Sequence, residues 1–159
     1  MGSQSNLNNS YIAGFLDGDG SLMLQVKMRN DTKRGIRFMA TICFYQDTRH
    51  EHPLYWIKKV LKIGYISHRK DGITELRING FEQVRDILNL LKPYIRFKAN
   101  QASALLQACQ LLSKKKIGEL SDSEMKKLIN FIFIIKKENY KSNSKIDKKV
   151  MYKRLGLTP

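Results

Sequence analysis

The chain has 159 residues with 29 Lys and Arg against 14 Asp and Glu, a formal net charge of +15 and a pI near 9.9. That length suits one domain, and that surplus of positive charge points to a polyanion as partner: DNA, RNA or an anionic membrane surface. The longest apolar run, Phe131 to Ile135, is far short of the ~20 residues of a spanning helix, and Met1 to Asn9 lacks the basic and apolar regions of a signal peptide, so membrane insertion and secretion are not expected.

Residues 1–9 read as a polar leader, with Ser10 as the cap of a helix through Tyr11-Ile12-Ala13-Gly14-Phe15-Leu16-Asp17. Gly18-Asp19-Gly20 is expected to end it, glycine being suited to a left-handed C-terminal position. Residues 21–27 alternate, with Leu22, Leu24 and Val26 on one face and Met23, Gln25 and Lys27 on the other, the period of a strand. Arg29 to Gly35 is a polar hairpin turning on Asn30, Asp31 and Gly35. Residues 37–46 alternate again, placing Phe38, Ala40, Ile42 and Phe44 on one face and Arg37, Met39, Thr41, Cys43 and Tyr45 on the other.

Pro53 suits the first turn of a helix running to Lys62. Two short strands, 64–69 and 74–78, flank the Lys70-Asp71-Gly72 turn. Asn79 is the expected cap of a helix ending at Leu91. Residues 97–113 form another, and Ser121 or Asp122 opens a last long helix to about Asn139. From Lys141 the chain is basic and rich in Ser, Asn and Lys, a tail beyond a single domain at 10–140. Cys43 and Cys109 stand alone, without the spacing of a zinc site or a disulfide framework. Lys outnumbers Arg by 20 to 9, a bias of AT-rich coding that fits an organelle.

The order α-β-β-α-β-β-α plus C-terminal helices implies an α+β fold: four antiparallel strands in one sheet, backed by helices on a single face. Gln25, Lys27, Arg29, Arg37, Thr41, Ser67, Arg69, Glu75 and Arg77 project from the other face. Cys43 shares it, and Asn30, Arg34 and Lys70 extend it at the turns. Long donors with a few acceptors on a twisted ribbon have the chemistry to read base edges in a major groove. The same residues also suit a solvated face; the net charge favours nucleic acid.

The segment Ile12-Ala13-Gly14-Phe15-Leu16-Asp17-Gly18-Asp19-Gly20 is the least ordinary of the chain. Glycine in a helix costs about 1 kcal/mol against alanine, yet Gly14 and Gly18 stand four apart on one face, where small residues let two backbones approach closely. Its acidic end is also unfavourable against the helix dipole, and metal binding is one function that offsets such a placement.

This nonapeptide resembles the LAGLIDADG motif of homing endonucleases and intron maturases. The likeness continues through GSLMLQVKM, IGYI and LKPYIRFKANQA, over roughly residues 10–113, and is to single-motif, homodimeric enzymes of the algal chloroplast type. It implies the LAGLIDADG homing endonuclease fold with a saddle-shaped sheet, and an intron-encoded, Mg²⁺-dependent hydrolase that makes a double-strand break in a long pseudo-palindromic DNA site. Mn²⁺ is expected to substitute, and Ca²⁺ to support binding without cleavage. By position, Asp19 is the metal-binding aspartate and the Gly18 carbonyl a further ligand. Gln46 positions water, Lys98 stabilises the transition state, and Arg49 or His50 is a further basic residue. Tyr11, Gly14, Phe15, Asp17 and Gly18 form the dimer interface, Asp17 being structural. The resemblance leaves two alternatives: a group I intron RNA maturase on the same fold, and a cleavage-inactive DNA-binding module. Ile12, Phe15 and Gly18 depart from the motif's usual residues without removing a catalytic group.

The charge is unevenly spread. Basic and acidic residues number 6 and 4 in residues 1–50, 10 and 5 in 51–100, and 13 and 5 in 101–159. Most of the surplus therefore lies outside the proposed sheet, where it is expected to grip phosphates without regard to sequence.

Overall fold

The computed structural model describes residues 2–31, 35–139 and 147–158. It contains α1 (Gly2–Asp19), β1 (Gly20–Met28), β2 (Ile36–Asp47), α2 (His52–Leu61), β3 (Tyr65–His68), β4 (Ile73–Asn79), α3 (Phe81–Leu91), α4 (Ala99–Leu112), α5 (Asp122–Glu138) and α6 (Lys148–Arg154). The four strands make one antiparallel sheet in the order β1-β2-β4-β3.

Alternation sets the two faces of this sheet. Leu22, Leu24, Phe38, Ala40, Ile42, Phe44, Leu76 and Ile78 are buried on the inner one, against which α1, α3, α4 and α5 pack. Ile12, Ala13 and Leu16 of α1 are fully buried there, and Phe15 lies against Phe44 with ring centroids 6.2 Å apart. Removing this apolar area from water is the main stabilising term, at roughly 25 cal/mol per Å². No helix among the described residues is long and apolar enough to cross a membrane.

Four local expectations change. The helix does not begin at Ser10: α1 already runs from Gly2, and the Ser10 hydroxyl donates to the Asn6 carbonyl one turn back instead of capping. Neither Gly18 nor Gly20 adopts a positive φ. Gly20 is required for a close approach, since a Cβ there would lie 2.5 Å from Leu16 Cδ1 and 2.8 Å from the Leu16 carbonyl oxygen. Asn79 ends β4 and its side chain accepts from Thr41 at 2.8 Å, while Gly80, at φ 102, takes the cap position of α3. Finally, the end of the chain is not all tail. Residues 148–154 form α6, which packs on α5 with Met151 and Leu157 buried, whereas 140–146 lie outside the described residues. Ser121 caps α5 as expected, in a reciprocal capping box with Glu124.

Candidate active site and nucleic-acid interface

The motif ends where α1 turns into β1, and that corner gathers the site. Gly20 is the register partner of Phe44, and Gln46 follows two residues later at the end of β2, so the antiparallel pairing brings Gln46 beside the 18–19 end of α1. The Gln46 side-chain oxygen accepts the N–H of Asp47 at 2.9 Å, which leaves its amide nitrogen to donate outward. Asp19 is exposed and makes no hydrogen bond or ion pair with any described residue.

Lys98 reaches the corner from the start of α4. Its ammonium donates to the Asp17 carbonyl, and its main-chain N–H donates to Asp17 Oδ1 at 3.0 Å. The other carboxylate oxygen of Asp17 accepts the N–H groups of Arg96 at 2.7 Å and Phe97 at 3.2 Å. Burial holds the Lys98 ammonium below the ordinary lysine range, against the upward pull of the Asp17 and Asp19 carboxylates. Lys98 thus stands at the Asp17–Asp19 end of α1, with Gln46 two residues past the strand partner of Gly20.

Of the two basic candidates beyond Gln46, Arg49 is tied to Asp47 through Nε at 3.0 Å and Nη2 at 2.8 Å, and this pairing holds the Asp47 carboxyl well below its usual range. His50 is exposed.

The donors at the corner suit a hard cation in kind: a carboxylate and a main-chain carbonyl, both oxygen. They do not suffice in number, because no group of three or more His, Cys, Asp or Glu able to hold a metal occurs among the described residues. Among the described residues, the oxygen donors at the corner are the Asp19 carboxylate and the Gly18 carbonyl that the resemblance names. A Cβ at Gly14 or Gly18 would meet nothing within 4 Å, so this chain's own packing does not require either glycine. Together with Tyr11, 58% exposed, they lie on the open face of α1.

The outer sheet face carries the expected polar residues at two depths. Gln25, Lys27, Arg29, Asn30, Arg37, Arg69 and Lys70 are exposed, Ser67 and Arg77 half-buried. Arg34 lies outside the described residues. Three of the residues expected to project from this face are buried in it. Thr41 and Cys43 are 1% and 0% exposed, because they occupy the central strand beneath longer neighbours; Thr41 spends its hydroxyl on Asn79. Glu75, 5% exposed, has one carboxylate oxygen on Arg69 at 3.3 Å and the other on Arg77 at 2.9 Å. Its carboxylate therefore holds two arginines of the outer face.

An open cationic sheet face ending at an unpaired carboxylate, a glutamine and a lysine is the layout of an enzyme acting on nucleic-acid phosphodiesters. The LAGLIDADG endonuclease family model matches residues 12–112. The DNA endonuclease I-CvuI of Chlorella vulgaris is 30% identical over 110 residues, 69% of this chain and 68% of that one. The DNA endonuclease I-CreI of Chlamydomonas reinhardtii is 26% identical over 106 residues, 67% of this chain and 64% of that one. The chain belongs to the LAGLIDADG endonuclease family. The fold agrees: the crystal structure of I-CvuI with its target in the presence of Ca superposes with a TM-score of 0.85 at 24% identity, covering 98% of this chain and 99% of that one. The archaeal intron-encoded homing endonuclease I-Vdi141I, complexed with DNA, gives 0.83 at 21% identity over 95% and 96% of the two chains.

Two arrangements escape a sequence reading. The Asp17 carboxylate serves a turn some 80 residues away, signalled only by an acid placed against its own helix dipole. Glu51 accepts from Thr74 at 2.6 Å and pairs with His68 at 2.8 Å, tying α2 to the β3–β4 hairpin; isolated polar residues give no sign of it.

Proposed function

We propose that this protein is a site-specific homing endonuclease that acts as a homodimer and makes a Mg²⁺-dependent double-strand break in a long, pseudo-palindromic DNA site. The observation that carries the reading is the exposed Asp19 carboxylate near the Lys98 ammonium, at the corner where α1 meets a cationic sheet face and β2 ends in Gln46. Asp19 and the Gly18 carbonyl of each subunit would hold the metal, and two subunits joined along the Gly14–Gly18 face would bring two such half-sites together. When bound, the ion supplies charge neutralisation at the phosphate and a more acidic water. Gln46 donates its amide N–H to orient the attacking water. Lys98, half-buried, offers a poorly hydrated cation where negative charge grows on the phosphate oxygens. Lys27, Arg37, Arg69 and Arg77 read or clamp the duplex, and the basic α5–α6 region adds sequence-blind affinity. The curated relatives, both named DNA endonucleases, support this chemistry, and the Lys-rich composition supports an organelle setting.

The test is incubation with a library of random duplexes in Mg²⁺, followed by sequencing of cut ends. A recurring long, two-fold-related site cut on both strands is expected, with Asp19→Asn binding that site but leaving it intact. Absence of cutting in Mg²⁺ and Mn²⁺, with tight binding to an intron RNA, would overturn the reading in favour of a maturase.

A further inference from the structure

The Asp17 side chain faces its own chain. Both of its carboxylate oxygens are occupied by consecutive main-chain N–H groups, Arg96 and Phe97 on one oxygen and Lys98 on the other, at 2.7 to 3.2 Å. Its carbonyl takes the Lys98 ammonium. Lys98 is therefore held by Asp17 at both ends, main chain and side chain. Beside this anchor stand the Lys98 carbonyl, which accepts the Ala102 N–H at 2.8 Å, and the buried Ile95 just before the segment; neither fixes the main-chain N–H groups of residues 96–98. Arg96 and Phe97 are exposed, Phe97 by 87%, and α4 begins only at Ala99. An ionised carboxylate accepting several N–H groups is a strong anchor, each such charge-assisted bond being roughly twice as strong as a neutral one.

We propose that Asp17 is a positioning residue: it touches no reacting atom, and it orders the 96–98 turn so that the Lys98 ammonium stands beside Asp19. The inference rests on the assignment of Lys98 to the cleavage step. The motif's two acids then divide the work, Asp19 facing the substrate and Asp17 fixing the lysine. Asparagine at 17 keeps only one acceptor oxygen and no charge, so it cannot hold both the Arg96–Phe97 pair and Lys98. Glutamate keeps both oxygens but is longer by one methylene, and is expected to restore part of the function.

The test compares wild type, Asp17→Asn, Asp17→Glu, Lys98→Ala and Asp17→Asn/Lys98→Ala on the duplex that wild type selects from the random library. Single-turnover cleavage in Mg²⁺ is measured alongside binding in Ca²⁺. Asp17→Asn is expected to slow cleavage by about tenfold or more while binding stays within about twofold, Asp17→Glu to recover part of the rate, and the double variant to cut no more slowly than Lys98→Ala, the signature of residues acting as one unit. Hydrogen exchange at the amides of residues 96–98 should accelerate in Asp17→Asn. Wild-type cleavage by Asp17→Asn, a loss that adds in full to that of Lys98→Ala, or unchanged exchange at 96–98 would overturn the proposal. If wild type cuts no duplex, the endonuclease reading fails instead, and exchange at 96–98 together with acylation of Lys98 still decides whether Asp17 holds the turn.

Discussion

Lys27 and Arg37 stand directly opposite each other in the β1–β2 register, both exposed, and neither side chain is hydrogen-bonded or ion-paired to a described residue. Facing like charges destabilise a sheet by roughly 0.2–1 kcal/mol, and among the described residues only the Asp31 carboxylate, which feels the charge of Arg37, offsets it in part. An anion laid across the pair would do so more fully. Lys27→Gln is therefore expected to raise the urea midpoint of the free protein slightly while weakening DNA binding. If the lysine meets a phosphate, the slope of log K against log salt should fall by about 1. Titrations at several salt concentrations check this; an unchanged slope and affinity would remove Lys27 from the interface.

Glu75 controls its neighbours differently. Its carboxylate is buried between Arg69 and Arg77; Arg77 is raised above the ordinary arginine range chiefly by Glu75, whereas Arg69 is raised first by Asp71, which it meets at 2.5 Å, and only then by Glu75. Glu75→Gln should free Arg77, leave Arg69 held by Asp71 alone, and leave a buried amide poorly matched to both, costing about 1–3 kcal/mol of stability. The more informative result concerns specificity. With Arg77 released, the half-site positions beneath it should tolerate more bases in a cleavage-selected library, and those beneath Arg69, still on Asp71, should change less. Unaltered base preference would mean that Arg77 is fixed by other contacts.

These residues also show how much a sequence discloses. Period-two alternation identified the inner and outer faces of β1, β2 and β4, because burial on one side leaves a strong pattern. The Asp19–Gln46–Lys98 trio enters only through the resemblance of its surrounding segments. Depth within the outer face was not. Thr41 and Cys43 share the polar side with Lys27 and Arg37 but sit on the central strand, under side chains from β1 and β4, and alternation assigns a side chain to a face, not to a layer. The Asp17 anchor was illegible for another reason, since it joins residues some 80 positions apart through main-chain donors that carry no sequence identity. α6 was hidden by composition: its lysines read as a solvated tail, whereas Met151 is enough to seat it on α5.

The motif glycines should separate into two kinds. At Gly14 and Gly18 an added Cβ meets only open space, so alanine should leave the single chain stable or improve its helix by up to about 1 kcal/mol. If the two subunits approach along this face, the same methyl should raise the dimer dissociation constant, read by sedimentation at decreasing protein concentration. Gly20 should behave in the opposite way. Its Cβ would collide with the Leu16 main chain, so Gly20→Ala is expected to cost about 1–3 kcal/mol in a melt. A dimer unaffected by Gly14→Leu would place the two-fold elsewhere.

The two thiols give a prediction in pH. Burial pushes Cys43 up to about 11 and Cys109 up to about 12, from an ordinary value of 9.0. Reactivity belongs to the thiolate, so iodoacetamide at pH 8 should leave both untouched in the folded protein and label both in urea, as followed by intact mass. The sign of the linkage follows from the same shifts. Below pH 9 both states keep the thiols protonated, and the neutral buried form contributes fully to stability. Above pH 9 the unfolded chain ionises first, so stability declines as pH rises toward 11–12. Replacing both cysteines with alanine should lower stability through lost packing, yet flatten this part of the alkaline decline. A variant whose urea midpoint falls as steeply as wild type between pH 9 and 10.5 would show that the thiols do not contribute to it.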